Sequence, residues 1–406
     1  MSGPLSGIRV LDLSRVLAGP SCTQILGDLG ADIIKVERPG EGDDTRKWGP
    51  PFLKDAAGHD TEESAYYLSC NRNKRSIAID ITRPEGQQII HDLLTKCDIL
   101  IENFKVGGLE KYGLGYEHIK QRHPHIIYAS ITGFGQTGPL ASEPGYDLMA
   151  QAMGGLMAVT GEPEGMPMKV GVALTDVMTG LYAAIGVLAA LHKRKETGRG
   201  DLVDVALLDC TLASLTNLAQ FYLTSGTPAK RWGNAHSTIV PYQAFPAADG
   251  HIIIAVGNDA QFARLATLLG HDEWLKDDRF ITNRARVAHR DIIVNLISTI
   301  TPTRPVADWV TALQEIDVPA GPVNRMDQVF AMEQIQARGM EIEMNHPTSP
   351  LPIHLVGSPL KLSENPVDYR LPPPRCGEHT QQILNELLNK SSEDLAELIK
   401  NNVVSI

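Results

Sequence analysis

The chain has 406 residues, 43% apolar and 21% charged, an ordinary balance for a globular protein and too long for one simple core. Its 37 basic and 48 acidic residues leave a net charge of −11, which argues against nucleic acid or an anionic membrane as the main partner. Five scattered cysteines without CxxC spacing indicate neither a disulfide framework nor a metal site, and they suit a reducing compartment.

The N-terminus lacks a basic start followed by an apolar run, so a cytoplasmic location is expected. Apolar runs predict strands over 8–13 and 31–36, with a helix over 21–29 between them that Gly30 ends. Further strands are expected over 76–81, 98–101 and 126–130, with a helix over 84–95 that starts on Pro84. Strands alternating with helices at this spacing predict a Rossmann-like α/β domain with a mainly parallel sheet. A helix over 176–195 is apolar nearly all round and is therefore expected to be buried, and a strand over 201–208 follows. The unbroken apolar stretch 181–191 is too short to cross a bilayer.

After about Thr224 the texture changes. Residues 242–245 and 251–255, joined through Asp249 and Gly250, read as an antiparallel hairpin. Helices over 261–269, 286–300 and 305–316 complete a smaller α+β domain. The expected boundaries are 1–200 for the first part of the large domain, 201–224 for a linker, and 225–322 for the small domain. A second linker over 323–349 then returns the chain to the large domain at 350–406, whose helices lie over 380–389 and 392–401.

Five segments carry candidate chemistry. Ser14-Arg-Val-Leu-Ala-Gly-Pro20 joins the first strand to its helix, where open α/β sheets bind ligands, yet no GxGxxG fingerprint and no Walker lysine occur. Lys35-Val-Glu-Arg38 and the Gly-rich turn after it suit a phosphate contact or a solvated loop. Glu102-Asn-Phe-Lys at another strand end can hydrogen-bond and stack on a purine, with Lys111 supplying charge; the alternative makes Phe104 a core residue. Asn71-Arg-Asn-Lys-Arg75 is either a surface turn or a wall that binds a carboxylate through Arg. Gly171-Val-Ala-Leu-Thr-Asp176 opens the apolar helix: Asp176 is either its N-cap or a nucleophile needing no general base, the free carboxyl having a pKa of about 3.9.

Taken together and in this order, the segments resemble the class III CoA-transferases of the formyl-CoA transferase and carnitine CoA-transferase type, over essentially the whole chain. Trp48-Gly-Pro-Pro-Phe52, Asn71-Arg-Asn-Lys74 and Arg231-Trp-Gly-Asn-Ala-His236 look nearest to the succinyl-CoA:glutarate branch. The resemblance implies that Asp176 is the catalytic carboxylate. It puts CoA contacts on Val16, Leu17, Ala18, Arg38, Ile79, Ile81, Thr82, Asn103, Phe104, Lys111 and Tyr146. It also implies an interlocked homodimer, with acyl-CoA and carboxylate small molecules as partners and no permanently bound cofactor, the CoA thioesters being substrates. Two departures stand out: Leu17 replaces a glutamine of formyl-CoA transferase, which disfavours an oxalate/formate pair, and Gly257-Asn-Asp-Ala260 replaces that enzyme's glycine-only lid. At Lys111 a lysine stands for an arginine, keeping the charge but not the fork.

The expected reaction moves CoA from succinyl-CoA to a C4–C6 dicarboxylate. A buried distal carboxylate needs a cation, for which Arg72, Arg231 and His236 are the candidates, Arg72 first. The alternatives are an α-methylacyl-CoA racemase and a non-catalytic CoA-binding protein. Tyr146 stands where the racemase motif has histidine, and tyrosine, with a pKa of about 10, is a poor base at neutral pH.

Overall fold

A computed structural model describes residues 3–406. The chain divides into two compact units. The first runs to Leu156 and adds Val170–Gln220 and Gln336–Ile406; the second is Met157–Lys169 with Phe221–Ile335.

In the first unit, strand β1 (Arg9–Asp12), helix α1 (Ala18–Asp28) and strand β2 (Asp32–Glu37) form the opening βαβ turn. A short hairpin of β3 (Phe52–Lys54) and β4 (Asp60–Ser64) and the single turn α2 (Ala65–Leu68) lead to β5 (Lys74–Ile79). Next come α3 (Pro84–Leu94), β6 (Ile99–Glu102), α4 (Tyr116–Arg122) and β7 (Ile127–Thr132). Helix α5 (Asp147–Met153) precedes α6 (Leu156–Val159), which enters the second unit after Leu156; back in the first unit, α7 (Leu174–Thr197) leads to β8 (Leu202–Ala206) and α8 (Leu207–Ser214). The second unit holds the hairpin β9 (Tyr242–Ala247) and β10 (Gly250–Ala255), with β11 (Ala320–Pro322) antiparallel beside β10. Its core gathers Phe245, Ile252, Phe262, Leu265, Trp309 and Leu313. The chain returns through the antiparallel pair β12 (Glu341–Met344) and β13 (Ile353–Val356) and ends in β14 (Val404–Ser405).

The large sheet has the order β14-β5-β2-β1-β6-β7-β8, parallel except where β14 closes the β5 edge. Alternate residues of a strand face opposite sides, and each side has its own core. Leu11, Ile34, Leu100 and Tyr128 meet α3 and the C-terminal helix Thr380–Leu388. Val10, Ile33, Ile99, Ile127 and Ala129 meet α1 and α7.

Within the expected linker, residues 202–206 form the strand also expected there, as the edge strand of the sheet paired along β7. Two expectations are corrected. The second unit takes in Met157–Lys169 and extends to Ile335, beyond the expected small domain. Helix α7 is not buried all round: Ala183, Ala184 and Val187 are in the core, whereas Leu181, Tyr182 and Ile185 are exposed. At 24 residues α7 is long and apolar enough to cross a membrane by length and composition, but its small-residue face packs on α1 and the sheet as a core helix does.

Candidate active site

The chain winds from β1 to β2 to β5 on one side and, after α3, to β6, β7 and β8 on the other. The reversal lies between β1 and β6, where open α/β sheets leave a crevice at the strands' C-terminal ends. The loops after these two strands are clamped together by Asn103: its Oδ1 accepts the Arg15 N–H at 3.0 Å and its Nδ2 donates to the Arg15 carbonyl at 2.8 Å. Buried Glu102 accepts the Phe104 N–H at 2.7 Å and so fixes the second loop.

A cavity of about 510 Å³ opens there, lined by Val16, Leu17, Ala18, Asn103, Phe104, Tyr146 and Asp176. Helix α1 begins beside it without a side-chain cap, which leaves the first-turn N–H groups without an intrahelical partner. A second cavity of about 170 Å³ takes in Arg38, Ile79, Ile81, Thr82 and Tyr112. Arg15, Asp44 and Phe104 line both, so the two make one tract along the sheet edge. Arg15 stands over the Phe104 ring with its guanidinium 6.0 Å from the centroid. Arg38 is exposed and, among the described residues, its guanidinium pairs with Glu41 across a surface turn, a pair weak enough for a phosphate to displace.

Asp176 reaches this cavity because another residue caps its helix. It is the third residue of α7, whose N-cap is Ala173. The orphan N–H of Thr175 goes instead to Asp147, at 2.9 Å, and Asp147 is steadied by the Gln151 amide at 2.7 Å. Gly133 and Gly145 bring Asp147 into place, since their backbones meet so closely that a Cβ on Gly133 would lie 2.5 Å from the Gly145 Cα. The N-cap reading of Asp176 is thereby excluded. Burial, and after it the Asp147 charge, push the Asp176 carboxyl up to about 7, so the expectation of a group fully ionised at neutral pH is also corrected. Tyr66 is a neighbour that the sequence did not reveal. Its phenol is pushed up to about 12 by burial and then by the charge of Asp176, and Trp48, which lines the cavity, meets its ring edge-on at 5.2 Å. Nothing in the spacing around Tyr66 marks it, because α2 carries it there from a hairpin with no apolar period.

A family model described as CoA-transferase family III matches residues 5–380. The chain belongs to this family. The transferase is 49% identical over 384 residues to a succinate–glutarate CoA-transferase of Agrobacterium fabrum, covering 95% of this chain and 96% of the relative. It is 45% identical over 401 residues to the human succinyl-CoA:glutarate CoA-transferase, covering 99% and 90%. The crystal structure of a CaiB/BaiF family protein from Brucella suis superposes with a TM-score of 0.86 at 48% identity, covering 95% of this chain and all of that one.

Of the sequence-expected residues, all the CoA positions but Lys111 line the tract; the Lys111 ammonium lies over the Tyr112 ring, 4.7 Å from its centroid. Asn103 acts there as a clamp on the neighbouring loop. The carboxylate candidates fare differently. Arg72 is buried, forks onto Asp28 at 2.9 and 2.6 Å, and donates to the Val356 carbonyl at 2.7 Å. It also precedes the N-terminal end of β5, whereas the tract lies at the C-terminal ends. The first-ranked carboxylate ligand is thus a structural arginine. In the second unit, Arg231 gathers the carbonyls of Glu162, Pro163 and Gly165, and the His236 Nδ1 accepts the Thr238 N–H at 3.2 Å.

Proposed function

We propose that this transferase moves CoA from succinyl-CoA to glutarate with Asp176 as nucleophile. The observation that carries the reading is a half-buried carboxylate left uncommitted by its own helix, at the switch-point cavity of a family III CoA-transferase. The names of the relatives support the substrate pair.

In this mechanism the Asp176 carboxylate attacks the thioester carbonyl of succinyl-CoA, forming a mixed anhydride and releasing CoA thiolate. The thiolate attacks the aspartyl carbonyl of that anhydride, giving an aspartyl-CoA thioester and free succinate. Glutarate then attacks the aspartyl thioester, and the thiolate released takes the glutaryl group, restoring the Asp176 carboxylate. Each step keeps the acyl group activated, so no outside energy is needed while water is kept out. Partial desolvation, which raises the pKa of Asp176, also strengthens it as a nucleophile once ionised.

Arg72, forked onto Asp28, is not available for the distal carboxylate of the acceptor. The same reading makes the chain a homodimer, supported by an unpartnered apolar face on α5, α7 and α8. It places the enzyme in the cytoplasm, in keeping with five free cysteines.

The test is a panel of mono- and dicarboxylates offered with succinyl-CoA, the new CoA esters being measured by mass spectrometry. Glutarate should give the highest kcat/KM, and a quenched reaction should carry CoA or hydroxylamine on Asp176. Full exchange by Asp176→Ala would refute the mechanism; a better acceptor of another class would refute the substrate pair.

A further inference from the structure

Val16 has φ 70°, in the left-handed region. A β-branched residue there is an outlier, persisting only where its surroundings over-determine it. Most other non-glycine residues with positive φ are Asn or Asp (Asn73, Asp317, Asn389 and Asn402), which tolerate this conformation. Val16 has no such excuse, and it lies in the turn that lines the Asp176 cavity.

We propose that Asp43 is a positioning residue whose buried carboxylate holds Val16 in this left-handed turn and so sets the reacting-side wall formed by Val16, Leu17 and the start of α1. The Val16 N–H is shared between the two Asp43 oxygens at 3.2 and 3.3 Å. Asp43 is itself immobilised: Lys35 Nζ lies 2.8 Å from it, and the Thr45 N–H and hydroxyl donate to it at 3.0 and 2.8 Å. Its own N–H is held by Glu37. Lys35 also donates to the Ser14 carbonyl at 3.0 Å, so one buried ion pair grips the turn on both sides of Arg15, up to the Val16 N–H. With the Asn103 clamp on Arg15, every peptide from Ser14 to Val16 is tied to a fixed element. Charge-assisted bonds of this kind are strong enough to hold an unfavourable backbone. Release of the Val16 N–H would let the turn relax toward negative φ, swinging Leu17 and the uncapped α1 terminus away from Asp176.

The inference rests on the cavity being the CoA-transfer site. Its test is a double-mutant cycle of Asp43→Asn and Val16→Gly in the full-length enzyme, since glycine takes positive φ without strain. Asp43→Asn should lower kcat/KM about ten- to hundredfold when Val16 is present and no more than about threefold in the Val16→Gly background. Equal losses in both backgrounds would overturn the proposal and leave Asp43 a fold residue. Should Asp43→Asn not fold, Val16→Gly alone decides by melting: a midpoint at or above that of the wild type supports stored strain, and a lower one refutes it. Wild-type turnover with glutarate is measured separately. If it is absent the substrate reading fails, and the cycle is then read as affinity for succinyl-CoA by calorimetry, with the same inequality expected.

Discussion

Asp176 shows what a single residue can disclose and what it cannot. Its place at the start of an apolar helix was legible as either cap or nucleophile; the choice between them lay in Asp147, which comes from another helix and takes over the capping. The raised carboxyl has consequences of definite sign. Because the carboxylate is the attacking form, kcat/KM should rise as pH increases through about 7. Asp147→Asn keeps an oxygen for the Thr175 N–H but removes the neighbouring charge, so a pH–rate profile should show the midpoint moved down; an upward shift would contradict the account. A folded pKa above the unfolded value means the group favours the fold most at low pH, a contribution lost as pH rises through about 7. Asp176→Asn should therefore abolish exchange yet melt higher than wild type at pH 8, with the gap closing toward pH 4. Arg72 gives the opposite lesson. Its sequence neighbours suggested a binding wall, but its partner Asp28 lies on α1, and pairing across such a distance leaves no local signal. Arg72→Ala should cost about 3–5 kcal/mol of stability by stranding Asp28, while the surviving folded enzyme keeps its acceptor KM. A KM raised without loss of stability would restore the binding role.

Elements were legible where one physical rule governed them. The parallel strands fell within a residue or two of their expected places because buried strands are near-continuous apolar runs. Strand β5 begins earlier than expected, at Lys74, because Lys74 and Arg75 are buried as polar partners of Asn71 and Asp32. The hairpin of β3 and β4 was missed, its second strand reading Asp60-Thr-Glu-Glu-Ser64 with no apolar alternation. The helix expected over 286–300 is two, Asn283–Ala288 and Arg290–Ile300, divided at His289, whose backbone leaves the helical region and whose ring bonds the Ala285 carbonyl. Contact between elements has its own requirement at Gly180, where α7 crosses α1. A Cβ there would stand 2.6 Å from the Ala18 carbonyl oxygen. Gly180→Ala gains about 1 kcal/mol of helix propensity, but separating two packed backbones costs about 1–3 kcal/mol. The variant should melt lower and lose kcat more than CoA affinity, as α7 carries Asp176 away from the α1 terminus. An unchanged kcat would show that the crossing does not set the nucleophile.

At the scale of the whole molecule, the change of texture after Thr224 falls close to Phe221, where the second unit resumes, whereas no composition shift marks the excursion of Met157–Lys169 into that unit. The remaining question is the apolar face left on the first unit. Val177, Leu181 and Ile185 recur every four residues and so form one stripe of α7, and Leu148 and Met149 on α5 and Leu212 on α8 are also exposed. So much exposed apolar side chain is unusual for a monomer, and the opposite face of α7 is already in the core. The proposed homodimer would cover this face with a second copy of the chain. Light scattering should therefore give twice the 44.2 kDa chain mass for the wild type. Leu181→Asp with Ile185→Asp, which alters only exposed side chains, should give a species of single-chain mass with lowered exchange activity. Wild-type enzyme that is monomeric and fully active at assay concentration would leave the apolar stripe without a partner and remove the dimer from the reading.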